Sequence, residues 1–77
     1  MRDVRKMIAN LDKKIAWVKE DLDRELARVA EKAQEDRTTS FYLSDVERAV
    51  DAANTTLARI KELELQKHVL LVALDED

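Results

Sequence analysis

The chain has 77 residues, of which 40% are charged and 45% hydrophobic, with a formal net charge of -3 and no glycine, proline or cysteine. That composition is the signature of a long-helix or coiled-coil protein of one small domain, and a β-rich domain without a single glycine or proline would lack its turns. Without cysteine there are no disulfide staples and no thiolate metal site, and the net negative charge argues against general affinity for nucleic acid.

The first element is expected over about residues 2–37. Val4, Ile8, Leu11, Ile15, Val18, Leu22, Leu26, Val29 and Ala33 recur at steps of three and four, which makes one helical stripe. A double step of four around Leu22 pulls the stripe back toward the period of a straight helix, so only modest supercoiling is expected. Lys13, Glu20, Asp21, Arg24, Arg28, Glu31, Lys32 and Glu35 form the solvated face, with Glu20 and Arg24 among its i,i+4 neighbours.

A turn is expected over about residues 38–44. Arg37 to Ser44 holds two of the three aromatic residues and four of the six Ser and Thr side chains. Thr38, Thr39 and Ser40 compete for backbone hydrogen bonds and disfavour a helix interior. Ser44 and Glu47 match a capping box, with Asp45 suited to the first turn of the next helix. Phe41, Tyr42 and Leu43 make an apolar tip. They can act as a docking knob for a partner or as a plug over Ala33 and Val46, and the plug is the favoured reading.

The second helix is expected over about residues 45–74, with Val46, Val50, Ala53, Leu57, Ile60, Leu63, Lys67, Leu70 and Leu74 as its stripe. Lys67 is the misfit, accommodated if its stem lies along the core edge with the ammonium in water. Thr55 and Thr56 fall off this stripe. The two stripes match antiparallel: Ala33 with Val50, Leu26 with Leu57, Leu22 with Ile60 and Ile8 with Leu74 all share a position sum of 82 or 83. The same register sets Arg2, Arg5 and Lys6 beside Asp75, Glu76 and Asp77, so that charges misplaced for each helix dipole offset one another. One unbroken helix is the competing topology, and the capping box and hydroxyl cluster weigh against it.

The expected fold class is therefore all-α, an antiparallel two-helix hairpin. A single seam buries too little for 77 ordered residues, and apolar surface is left over. Leu65, Val69 and Val72 form a second stripe that the register sets beside Trp17, with Met7 and Ala16 extending the patch. Such a patch marks an interaction surface and Trp is a typical anchor. Dimerisation into a four-helix bundle is the simplest closure.

Chemistry is sparse. His68 and Glu64 lie at i,i+4, but two ligands are too few for a tight metal site, and a helical surface pair explains them. Glu20, Asp21, Asp23 and Glu25 point in different directions and cannot converge for acid–base work. No nucleophile–base set and no glycine-rich phosphate loop exists, so neither an enzyme nor a cofactor is expected. Arg2, Arg5, Lys6 and Lys13 could touch phosphates, and RNA-binding bundles of two helical hairpins share this layout. The longest apolar run, Val69 to Leu74, is too short to span a bilayer. A cytoplasmic protein that binds other proteins as a homodimer is the expectation, as an adaptor, regulator or inhibitor. A nucleic-acid-binding regulator and a purely structural oligomerisation module are the alternatives.

Overall fold

A computed structural model describes residues 3–38 and 40–75. Two helices, α1 (Val4–Ala33) and α2 (Tyr42–Asp75), pack against each other as a hairpin. The body measures 60 × 15 × 14 Å. Its radius of gyration is 17.6 Å, against about 11.5 Å for a compact globule of this length.

Helix α1 starts at Val4 because Asp3 caps it. The Asp3 carboxylate accepts from the Lys6 amide at 3.2 Å, and the Asp3 carbonyl accepts from the Met7 amide at 3.1 Å. The first contact satisfies a backbone donor that the first turn would otherwise leave unpaired, and the second is the first bond of the helix ladder.

The helix ends at Ala33, four residues before the expected boundary at 37. Three local contacts stop it. The Gln34 amide is shared between the Ala30 and Glu31 carbonyls at 3.2 Å each, which tightens the last turn. Lys32 reaches Glu35 at 3.1 Å. Asp36 then accepts from both the Thr38 amide at 2.9 Å and the Thr38 hydroxyl at 2.7 Å, an Asx turn that replaces helical backbone bonds. Those two donors hold the Asp36 carboxyl below its ordinary value of 3.8. No described residue has positive φ, so this link turns without glycine.

Helix α2 starts at Tyr42, three residues before the expected position. Ser44 therefore lies inside the first turn, and it is not the N-cap. The Asp45 amide already donates to the Phe41 carbonyl at 2.9 Å. Asp45 does sit in the first turn, where the dipole favours it. The Tyr42 hydroxyl donates to the Ala33 carbonyl at 2.8 Å, so the first residue of α2 satisfies the last residue of α1. This bond closes the hairpin.

The seam follows one rule along both helices. On α1 the buried or half-buried positions include Val4, Ile8, Leu11, Ile15, Val18, Leu22, Glu25, Val29 and Lys32. On α2 they include Val46, Ala49, Ala53, Thr56, Ile60, Leu63, Lys67, Leu70 and Leu74. Steps of three and four alternate without interruption, which is the seam of a coiled coil. The expected double step of four at Leu22 does not occur in it. Glu25 takes the place expected for Leu26, Ala49 that for Val50 and Thr56 that for Leu57. The displaced side chains lie outside: Leu26 is 50% exposed, Leu57 38% and Val50 37%.

Polar contacts across the seam report the register. Thr56 donates to Glu25 at 2.6 Å, Lys19 meets Glu64 at 3.4 Å and Lys67 meets Asp12 at 2.6 Å. Their position sums run from 79 to 83, close to the alignment read from the stripes. Lys67 lies along the seam edge as its stem length allows, and its ammonium is anchored by Asp12. The Thr55 hydroxyl turns back to the Asp51 carbonyl at 2.9 Å, within its own helix.

Candidate interaction surface

The two flanks of the seam differ in chemistry. On one flank, Met7, Asn10, Leu11, Lys14, Leu65, Gln66, Val69 and Leu70 line an open and mostly apolar groove near the chain termini. Trp17 lines a neighbouring groove with Lys14, Val18, Asp21, Thr55, Thr56 and Arg59. Lys14 borders both. Of the expected patch, Met7, Leu65 and Val69 thus come together. Trp17 stands on the same flank but in the adjoining groove, at 63% exposure, and Val72 is exposed without lining either one. Toward the turn this flank becomes polar, where Glu25, Arg28, Lys32, Asp45 and Arg48 surround Ala49 and Ala52.

The opposite flank is located by the Lys19–Glu64 ion pair. Seven residues are two coiled-coil turns, so a shift of seven along each helix stays on the same flank. From Lys19 and Glu64 that shift leads to Leu26 and Leu57, and a second one to Ala33 and Val50. Leu43 continues the row on α2. This flank therefore carries an apolar row over the half of the hairpin nearest the turn. Stripe counting missed it because it assigned Leu26, Val50 and Leu57 to the seam. An unbroken heptad through Glu25 and Thr56 is an equally periodic path, but hydrophobicity argues against it.

At the tip, Tyr42 folds back onto Ala33, as a plug requires. Phe41 and Leu43 do not follow it: each is 70% exposed. Phe41 immediately precedes the first helical residue, so its side chain leaves the chain before α2 begins to face the seam.

The remaining candidates separate. Glu64, expected beside His68, pairs with Lys19 across the seam. Of the carboxylate run, Asp21 pairs with Arg24 and Glu25 enters the seam against Thr56. Arg24 therefore takes Asp21 one turn away, and not Glu20. Among the described residues no group of three or more His, Cys, Asp or Glu side chains comes together as a metal site.

Arg5, Lys6 and Lys13 are exposed on α1. Arg2, Glu76 and Asp77 lie outside the described residues. Among those described, no ion pair joins Arg5 or Lys6 to Asp75, so the expected charge pairing at the termini is not formed there. No described helix is long and apolar enough to cross a membrane. Comparison with protein-family models, curated proteins and solved structures finds no match for this chain.

Proposed function

We propose that this chain is a non-enzymatic protein–protein interaction module that works as a homodimeric four-helix bundle. One observation carries the reading. The seam buries five described residues, two of them alanines, while eleven large apolar side chains stay exposed. A soluble monomer seldom leaves so much of its apolar content in contiguous patches. A long face of the hairpin measures about 900 Å² from its extents, comparable to the ~800 Å² that each partner contributes to a standard interface.

Self-association covers one face. The groove of Met7, Leu65 and Val69, with Trp17 in the adjoining groove and Val72 exposed one turn beyond Val69, serves a protein partner, in the manner of an adaptor, regulator or inhibitor. An amphipathic partner helix suits such a groove, because it offers apolar side chains at matching intervals. A cytoplasmic location belongs to the same proposal.

Sedimentation velocity across a dilution series tests the dimer. A concentration-dependent species of twice the chain mass, with helicity falling as it dissociates, is the expected result. A folded monomer at every concentration, melting at one constant temperature, would overturn it.

A further inference from the structure

Resting on the homodimer reading above, we infer that two copies join through the flank of Leu26, Val50 and Leu57, with a two-fold axis along the bundle and both turns at the same end. Three observations carry this arrangement.

The first is the pattern around the seam. A helix facing a globular or bundle core is apolar at the two seam positions and at one flanking position, whereas a two-stranded coil needs the seam alone. On α2 the flanking positions are Leu43, Val50, Leu57, Glu64 and Leu71, apolar in four of five. Their counterparts on the other flank are Asp45, Ala52, Arg59, Gln66 and Ala73, with no large apolar residue among them. On α2, only the first of these two rows has the composition of a bundle interior; on α1 the matching positions are apolar toward the turn, at Leu26 and Ala33, and charged at Arg5, Asp12 and Lys19.

The second is charge. The Lys19–Glu64 pair interrupts the apolar row, with Leu71 alone beyond it toward the termini, and its side chains are about half exposed. An axis along the bundle sets α1 of one copy against α2 of the other. Each Lys19 then faces the second copy's Glu64, and four charges close an alternating ring. Leu26 meets the second copy's Leu57 one heptad up, and Ala33 meets its Val50 one heptad further, each step about 10.5 Å along the axis.

The third is the cost of the other two-fold. With turns at opposite ends, full overlap lays the leucine half of one copy on the Lys19–Glu64 and Asp12–Lys67 half of the other. Charged side chains would then lose water against apolar surface without gaining a partner. A shorter overlap would avoid this but leave much of each face uncovered.

The chain has no cysteine, so single spin labels are clean probes. Arg37→Cys and, independently, Ser40→Cys place a label in the exposed turn. Pulsed dipolar spectroscopy on the labelled full chain should give one narrow distance on the order of 25 Å, set by neighbouring helices packed at 8–10 Å and the label arms. Turns at opposite ends would put the labels near the 60 Å length of the body. That result, with a dimer by sedimentation, overturns the arrangement and leaves the homodimer standing. A protein that sediments as a monomer with no dipolar signal overturns both. A companion pair fixes the flank. Leu57→Lys should weaken dimerisation by a factor of 10 or more, and Val69→Lys by less than 3. The reverse order would place the joint on the opposite flank and refute the proposal.

Discussion

Thr56→Val removes the hydroxyl that donates to Glu25 at 2.6 Å inside the seam, while keeping side-chain size and shape. A hydrogen bond to a charged group contributes roughly 1.5–3 kcal/mol when buried. Glu25 and Thr56 are only half-buried, so water can replace part of the lost contact, and a cost of about 1 kcal/mol is expected. For a domain of this size that lowers the melting temperature by roughly 4–8 °C. Glu25→Leu alone leaves the Thr56 hydroxyl facing an apolar neighbour. The double change Glu25→Leu, Thr56→Val removes both polar groups, and replacing a paired polar contact by packed apolar groups is often neutral or stabilising. The double variant should therefore be at least as stable as the parent, and the cycle should show a coupling of about 1 kcal/mol. Urea unfolding followed by circular dichroism at one fixed protein concentration measures all four corners. A coupling below about 0.3 kcal/mol, with Thr56→Val neutral, would mean that Glu25 and Thr56 do not meet and that Leu26 and Leu57 occupy the seam.

Tyr42→Phe keeps the ring and loses the bond to the Ala33 carbonyl; it should cost about 1 kcal/mol, and an unchanged denaturation midpoint would dissociate that bond from hairpin closure. Asp36 should titrate below 3.8 by carboxyl NMR. Because its folded value is depressed, its contribution to stability is complete above the unfolded value and is lost as pH falls through the folded one, and protection of the Thr38 amide should decline over that window. A folded midpoint at or above 3.8 contradicts the Asx turn. Trp17 is exposed and off the proposed dimer flank, so its emission should stay that of a solvated indole and remain open to iodide quenching across the dimerisation range. A blue shift that tracks dimer formation would move the joint to the Trp17 side. A filter-binding series with short RNA should show no retention at low salt, since the net charge is negative; steep, linear weakening with salt would instead point to Arg5, Lys6 and Lys13 as phosphate contacts.

Two helices, their antiparallel pairing and their register were legible in the sequence. Periodicity needs only the 3.6-residue turn, and a shared position sum is a property of both stripes at once. The ends of the helices were less legible. The contacts that stop α1 are polar and specific, the shared Gln34 amide and the Asp36–Thr38 turn, Tyr42 adds a hydroxyl bond to a carbonyl nine positions away, and the capping motif at Ser44 is a local signal that α2 overrides by beginning earlier. The candidate surface was half legible. Met7, Leu65 and Val69 could be grouped from spacing, because all three fall outside either reading of the seam. The apolar row of Leu26, Val50 and Leu57 could not.

What the sequence by itself determined is that this chain is helical, hairpin-forming and richer in apolar surface than one seam can use. What only the tertiary structure decided is the rotation of each helix about its axis. At Leu22, Val46 and Ala53 the next seam residue can be three or four positions on, about 100° apart, and both continuations satisfy helical periodicity. Hydrophobicity alone favours Leu26, Val50 and Leu57. The folded hairpin instead seats Glu25, Ala49 and Thr56 there, where Thr56 donates to Glu25 across the seam and an unbroken heptad runs along both helices. That choice leaves the leucines outside the hairpin, on the flank where a second copy can cover them.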